Sequence, residues 1–264
     1  MPTEFDVERH PAEAYGFVTP PTDLLYDDGA ILETPQHRAN MNVLIELTEV
    51  RLNGRKDFYT GGNMFLYFSA EQARNRDFKG PDYFFVDGAD HDRERLYWAV
   101  WDEDGRYPTV IVELTSPSTA KVDRGAKKKL YERTFKTPEY FLYDPILGDF
   151  EGWRLADGKY RKIEPDARGW LWCESLQVWL GPWHGVYLNV PGTYVRFYDA
   201  DGNLVPLFAE RAAAQADAAQ AQADAAQAQA DAERRRADSA EAENERLRRE
   251  IAALRGQAAE GGAP

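Results

Sequence analysis

Two acidic residues and a lysine are the side chains whose surroundings call for chemistry. Glu113 lies within the apolar run Pro108–Ser116, where Val110, Ile111, Val112 and Leu114 are mostly β-branched. The approach runs through Asp-Gly and Pro and the exit through Ser116-Pro117-Ser118, so the segment is predicted to be a buried strand. An ionised carboxylate in such a strand needs a partner, a metal or a raised pKa, because an unpaired buried charge is costly. Strand side chains share a face every second residue, so Glu113 faces the same way as Ile111 and Thr115, and Thr115 is its short polar neighbour.

A second run, Pro81–Val86, is aromatic and apolar, with Asp82 at its start. Pairing of the two strands would bring Asp82 and Glu113 together as a hard, incomplete oxygen ligand set. Mg²⁺ takes such a set when water and phosphate complete its shell, and Mn²⁺ suits the same ligands. Ala120–Phe135 reads as a helix in which Lys127 and Tyr131, four residues apart, share a face. A lysine there could reach the carboxylates, balance their charge and orient or deprotonate an attacking water. Successive helical side chains turn by about 100°, so one of Lys127, Lys128 and Lys129 faces such a site squarely.

Each of these residues also has a plainer reading. Asp82 after a proline is often a strand-start residue, and a run of three lysines is usually a solvated face. Asp123 reads first as a helix N-cap, and Tyr131 as a packing residue with a hydrogen-bonded hydroxyl. Asp144 before Pro145 reads as a turn starter at a strand end. His37 is a lone histidine that could approach from the first helix.

The positioning elements follow from the surrounding text. Residues 1–20 are polar and proline-containing and read as a loose arm. Pro35–Val50 reads as a first helix with Met41, Leu44, Ile45 and Thr48 near one face, and a strand is expected around Tyr59–Ser69. From Phe150 to Leu207 the chain has short aromatic runs punctuated by Gly, Pro and Asp-Gly, which is the pattern of β-hairpins. Trp153, Trp170, Trp172, Trp179 and Trp183 are expected mainly to pack that sheet, base stacking being the other use of such side chains.

At these residues the chain closely resembles the Uma2 family, also described as DUF820, endonucleases with the PD-(D/E)XK restriction-endonuclease-like fold. The elements that carry the resemblance are Pro81-Asp82, Glu113-Leu114-Thr115-Ser116-Pro117-Ser118, the Asp123–Lys127–Tyr131 spacing, and Pro138-Glu139-Tyr140 leading to Asp144-Pro145. Weaker similarity extends upstream to Thr34-Pro35-Gln36-His37 and downstream through Glu174-Ser175-Leu176 to Asp199–Gly202. The resemblance implies an α/β fold with a mixed β-sheet core flanked by helices. It also implies Asp82 and Glu113 as metal ligands, Asp82, Glu113 and Lys127 as catalytic residues, and DNA as substrate. Two positions depart from the pattern. The third residue of the Glu-x-Lys signature is Thr115, which cannot be a cation, so the resemblance implies that the lysine has moved to Lys127. Phe135-Lys136-Thr137 replaces the usual residues before the fourth strand and is expected to alter a turn. His37, Thr115, Asp123 and Tyr131 are candidate supporting residues.

Composition bounds the rest. A chain of 264 residues, 43% hydrophobic and 13% aromatic, can bury one sizeable core with a tail left over. Cys173 is the sole cysteine, which excludes an internal disulfide and a cysteine zinc cluster. With no apolar run near the ~20 residues a membrane span requires, and no basic-then-apolar start, a cytoplasmic protein without membrane contact is expected. The net charge is −13, and residues 1–208 hold 24 basic and 34 acidic groups, a net of −10. That argues against tight sequence-blind DNA binding, although Lys121, Arg124, Lys127, Lys128 and Lys129 could still concentrate positive charge at a phosphate.

The tail is a different kind of sequence. Asp217, Asp224, Asp231 and Asp238 recur every seven residues in an Ala- and Gln-rich background of high helix propensity. With Ile251 as an a position, the a series is Ala216, Ala223, Ala230, Ala237, Asn244 and Ile251. The d series is Ala212, Ala219, Ala226, Glu233, Ala240, Leu247 and Leu254. This is a coiled-coil register, through which homo-oligomerisation is expected, with a single long helix as the alternative. The expected organisation is an arm over 1–20, a nuclease domain with a β-rich extension over 21–208, a coiled-coil tail over 209–256 and a disordered end over 257–264. The leading expectation is an Mg²⁺-dependent endodeoxyribonuclease. Its alternatives are an inactive nucleic-acid-binding or scaffold protein, and a hydrolase of another phosphodiester such as RNA.

Overall fold

The computed structural model describes residues 34–75, 80–116 and 119–260, with side chains through Arg255. The N-terminal arm, Pro117, Ser118 and residues 261–264 of the expected disordered end lie outside the described residues. The chain divides into two units, Met1–Leu207 and Phe208–Pro264.

In the first unit, α1 (Pro35–Arg51) starts where Thr34 Oγ1 accepts the His37 N–H at 3.1 Å, with proline in the first turn, where its missing N–H costs nothing. Its buried face is Ala39, Asn40, Val43, Leu44, Leu47 and Thr48. The expected stripe is thus rotated: Leu44 and Thr48 are on it, but Met41 and Ile45 are only partly buried. Asn40 explains the rotation, because its amide binds a neighbouring strand, donating to Thr193 O at 3.1 Å and accepting the Val195 N–H at 3.0 Å.

The central sheet has six strands: β1 (Phe58–Gly61), β3 (Tyr83–Asp87), β5 (Val110–Leu114), β6 (Glu139–Tyr143), β7 (Phe150–Ala156) and β8 (Lys159–Lys162), in the order β1-β3-β5-β6-β7-β8. β5 and β6 are parallel and the other pairings are antiparallel, so the sheet is mixed. The strand expected around Tyr59–Ser69 is reduced to β1 and the two-residue β2 (Leu66–Tyr67), which pairs with β4 (Trp98–Ala99). Downstream, β9 (Leu171–Cys173), β10 (Val178–Tyr187) and β11 (Val190–Tyr198) form a second antiparallel sheet, as the hairpin pattern predicts.

Strand alternation sorts the core into two layers. Tyr83, Phe85, Val110, Val112, Leu114, Phe141 and Tyr143 pack with α1 and the β9–β11 sheet. Phe84, Val86, Ile111, Tyr140 and Leu142 pack on the other face with Tyr131, Phe135 and Trp153. Of the five tryptophans noted from the sequence, only Trp153 is fully buried. Trp170, Trp172, Trp179 and Trp183 are half-buried, and Trp170 is sandwiched between Tyr198 and Arg168. Glu139 is the acidic group of the first layer. It accepts two hydrogen bonds from Arg154, at 3.1 and 2.9 Å, and one each from the Glu174 and Ser175 N–H groups, at 2.9 and 2.8 Å.

The short helices α2 (Ala70–Arg74), α3 (Ala120–Val122) and α4 (Lys128–Leu130) precede the second unit, α5 (Phe208–Glu260), a single helix of 53 residues that runs past residue 256 into the stretch expected to be disordered. Gln220–Asp224 and Gln227–Asp231 bonds one turn apart, at 2.8 and 3.0 Å, support it along its length. No helix among the described residues is long and apolar enough to cross a membrane.

Candidate active site

The antiparallel register of β3 and β5 sets Tyr83 against Val112, and one step further along it Asp82 meets Glu113. By alternation both carboxylates point away from α1, toward the layer that holds Ile111 and Tyr131. Asp82 is fixed at the strand end, where its Oδ2 accepts the Leu114 N–H at 2.8 Å and its own N–H reaches Glu113 Oε2 at 3.4 Å. His37, from the first turn of α1, places Nε2 3.0 Å from Asp82 Oδ1.

The segment Ala120–Phe135 crosses this end of the sheet. It is helical but not uniformly α: Asp123–Lys127 and Tyr131–Phe135 are π-helical turns, separated by the α turn Lys128–Leu130. In an ideal α-helix eight residues overshoot two turns by about 80°. The wider π turns take up that offset, so Asp123, Lys127 and Tyr131 all come to one face, a device common at functional sites. Lys127 Nζ lies 3.0 Å from Glu113 Oε2 and 3.1 Å from Asp123 Oδ1, and Tyr131 OH donates to Glu113 Oε1 at 2.7 Å.

The structure distinguishes the three lysines. Lys127 enters the cluster, Lys128 lies over the Trp153 ring at 3.7 Å, and Lys129 is exposed. Arg124 pairs with Glu151 at 2.7 Å and Lys121 is exposed, so of the five cations expected at a phosphate only Lys127 touches the carboxylates. Asp123 is not the N-cap. It sits one turn inside the helix, with helical backbone angles and a buried side chain, because the helical segment begins at Ala120. Thr115 is buried beside Glu113, and its Oγ1 has no hydrogen-bond partner.

Burial dominates the electrostatics. Glu113 is fully buried, and desolvation pushes its pKa up to about 8; Asp82 and Asp123 add to that rise while Lys127 and Tyr131 oppose it. Asp82 also suffers desolvation, but the His37 hydrogen bond and charge, Lys127 and the Leu114 N–H outweigh it and hold the carboxyl below its ordinary range. Burial opposes the charge on Lys127, and the carboxylates of Glu113, Asp123 and Asp82 more than restore it, so the lysine stays protonated. Tyr131 is pushed well up by burial and by Glu113 and remains a neutral donor. Asp82, Lys127 and His37 keep 19%, 25% and 12% side-chain exposure, so solvent reaches the cluster on their side.

Two carboxylates beside Thr115 Oγ1, a buried oxygen without a hydrogen bond, and Asp123 Oδ1, ion-paired to Lys127 at 3.1 Å, form a hard-oxygen environment that fits a divalent cation retaining much of its water. It is not a closed cage: among the described residues no group of three or more His, Cys, Asp or Glu side chains is arranged to enclose a metal. One positioning residue was missed from the sequence. A Cβ on Gly62 would stand 2.3 Å from Asp82 O and 2.5 Å from Met41 Cγ, and the next residue, Asn63, donates its N–H to Pro81 O at 3.0 Å. The Gly61-Gly62-Asn63 run at the end of β1 was the available signal.

The mixed sheet with flanking helices and an acid pair at a strand end defines the restriction-endonuclease-like class. The chain belongs to the Uma2 family, whose model, described as "Putative restriction endonuclease", matches residues 12–182. Among solved structures it is similar to a "putative nuclease belonging to DUF820" from Anabaena variabilis ATCC 29413. The identity is 17% and the TM-score 0.39, over 57% of this chain and 81% of that one. None of the curated proteins matches the chain.

Proposed function

We propose that residues 21–208 form a metal-dependent endonuclease domain that hydrolyses DNA phosphodiester bonds. Asp82 and Glu113 hold Mg²⁺, or Mn²⁺ in its place, and Lys127 acts on the reacting phosphate. The observation that carries this reading is that Glu113 binds the Lys127 ammonium at 3.0 Å and the Asp82 backbone N–H at 3.4 Å at a partly open strand end, in a chain of the Uma2 family. When bound, the cation supplies Lewis acidity to the phosphate and lowers the pKa of a coordinated water.

The protein's own groups do the rest. His37 and the Leu114 N–H orient Asp82, and Tyr131 orients Glu113. The Lys127 ammonium, partly exposed, is the donor available to charge developing on the phosphate oxygens and to the attacking water. Asp123 holds Lys127 near the carboxylates without accepting its hydrogen bond. A second reading, hydrolysis of RNA or another phosphodiester, is favoured by the −10 charge of residues 1–208, which a long duplex tolerates poorly. The inactive scaffold reading is disfavoured because both carboxylates and the lysine are retained.

The test is cleavage of supercoiled DNA, single-stranded DNA and RNA by the purified chain with Mg²⁺ or Mn²⁺, beside Glu113→Ala. Metal-dependent DNA cutting lost in the variant supports the proposal. Cutting of RNA alone transfers the mechanism to the second reading, and no cutting by a folded, Mn²⁺-binding protein overturns it.

A further inference from the structure

We infer that α5 pairs with α5 of a second copy of this chain as a parallel, in-register, two-stranded coiled coil whose specificity lies between Arg236 and Arg255. The observations begin with exposure. α5 is helical from end to end, yet Leu247, Ile251 and Leu254 are 43%, 50% and 60% exposed. In the heptad register these residues occupy successive d, a and d positions, a single apolar seam on one side of the helix. Isoleucine at a with leucine at d is the combination that favours two strands.

Asn244 falls at the preceding a position. In a parallel, in-register pair each Asn244 meets the other, and the two amides can bond to one another. In an antiparallel pair an a residue packs against d residues, and the amide would be buried against apolar side chains at a desolvation cost.

The flanking charges identify the occupant as a copy of the same helix. In a parallel dimer each g residue faces the e residue five positions later on the other helix. Arg236 then faces Glu241, Glu243 faces Arg248, and Glu250 faces Arg255. All three pairings are of opposite sign, and two-fold symmetry makes each occur twice. These are the positions at which coiled coils encode partner and orientation. Glu243 already binds Arg246 within its own helix at 2.7 Å and can accept from both cations. Upstream, the a and d residues are mostly alanine and Glu233 occupies a d position, so two glutamates would meet there. The alanines permit close helix approach but add little burial, which confines the specific zone to the last three heptads.

The pairing does not depend on the nuclease reading. If that reading holds, parallel pairing tethers two nuclease units into one particle, a form suited to cutting both strands of a duplex.

The experiment is sedimentation equilibrium on the full chain at micromolar concentration, beside Glu250→Arg, Arg255→Glu and the double exchange Glu250→Arg/Arg255→Glu. The wild-type chain is expected to be a dimer. Either single reversal converts two symmetry-related attractions into repulsions and should weaken it about tenfold; the double exchange should restore it. Circular dichroism shows whether each variant stays helical. Orientation is read separately by oxidising Asn244→Cys, which should give an interchain disulfide. A monomeric wild type, single reversals without effect, a double exchange that fails to restore pairing while helical, or a dimer in which Asn244→Cys does not cross-link would overturn the inference.

Discussion

Lys127 Nζ lies 3.0 Å from Glu113 Oε2, on a carboxylate oxygen a divalent cation would need, while Asp123 Oδ1 stands 3.1 Å away without a hydrogen bond. The lysine therefore offsets the charge of the acids around it, and under the proposed function it would compete with the cation for one of them. A second acceptor of the same charge lies within reach when Glu113 turns to a cation.

Lys127→Met separates those two effects. The substitution keeps much of the side-chain volume and removes the charge. Cleavage should fall by about 10²- to 10³-fold, the usual cost of losing one donor to developing negative charge. Mn²⁺ binding, followed by electron paramagnetic resonance or calorimetry, should persist or tighten because the competing ammonium is gone. Loss of Mn²⁺ binding in a folded variant would mean that Lys127 builds the metal site rather than acting on the phosphate.

The Glu113 proton has a stability consequence. Its pKa rises from the ordinary 4.5 to about 8 in the folded protein, so between those values the folded state holds a proton that the unfolded chain has released. The stability contributed by this group is complete below the lower value and is lost as pH rises through the upper one. The urea midpoint of the metal-free protein should therefore fall across that window. Glu113→Gln, which carries no titrating proton, should flatten the dependence. An unchanged slope in the variant would assign it to another group.

His37 touches one oxygen of Asp82, and its removal should act through that carboxylate. His37→Ala is expected to weaken Mn²⁺ binding by about 10- to 100-fold, the range found when a group orienting a metal ligand is lost. Urea denaturation should show a moderate loss as well, since the His37 side chain is 12% exposed and helps keep the Asp82 carboxylate charged. Unaltered Mn²⁺ affinity would reduce His37 to a residue that supports the fold alone.

The sequence made the carboxylate pair legible because strand composition and alternation are local signals. Val110–Leu114 could hardly be anything but a buried strand, and its one acid had to be paired. The Lys127–Tyr131 spacing was legible for the same reason. The π-helical turns were not, because residue types alone do not report an i→i+5 bond pattern, and Asp123 consequently read as a cap. Gly62 escaped notice because its constraint comes from Asp82, a residue distant in sequence. The burial of α1 was rotated from its apolar pattern because Asn40 is satisfied by β11, which the helix sequence cannot show.

Glu139 is the residue whose role the motif alone would most easily misassign. It belongs to the Pro138-Glu139-Tyr140 element, yet alternation turns it to the face opposite that of Glu113, where Arg154 and two backbone N–H groups at the end of β9 saturate it. Cys173 Sγ adds a contact at 3.4 Å. Glu139→Ala would take the shared acceptor from Arg154, which is 38% exposed, and from the Glu174 and Ser175 N–H groups, and uncouple β9 from the central sheet. A loss of about 1–3 kcal/mol in unfolding free energy is expected, with Glu139→Gln losing less because it retains one carbonyl oxygen. Below the unfolding transition, Mn²⁺ binding at Asp82 and Glu113 should be unchanged. Loss of metal binding with stability intact would place Glu139 in the chemistry instead, so the two measurements together decide whether this acid holds the fold or serves the site.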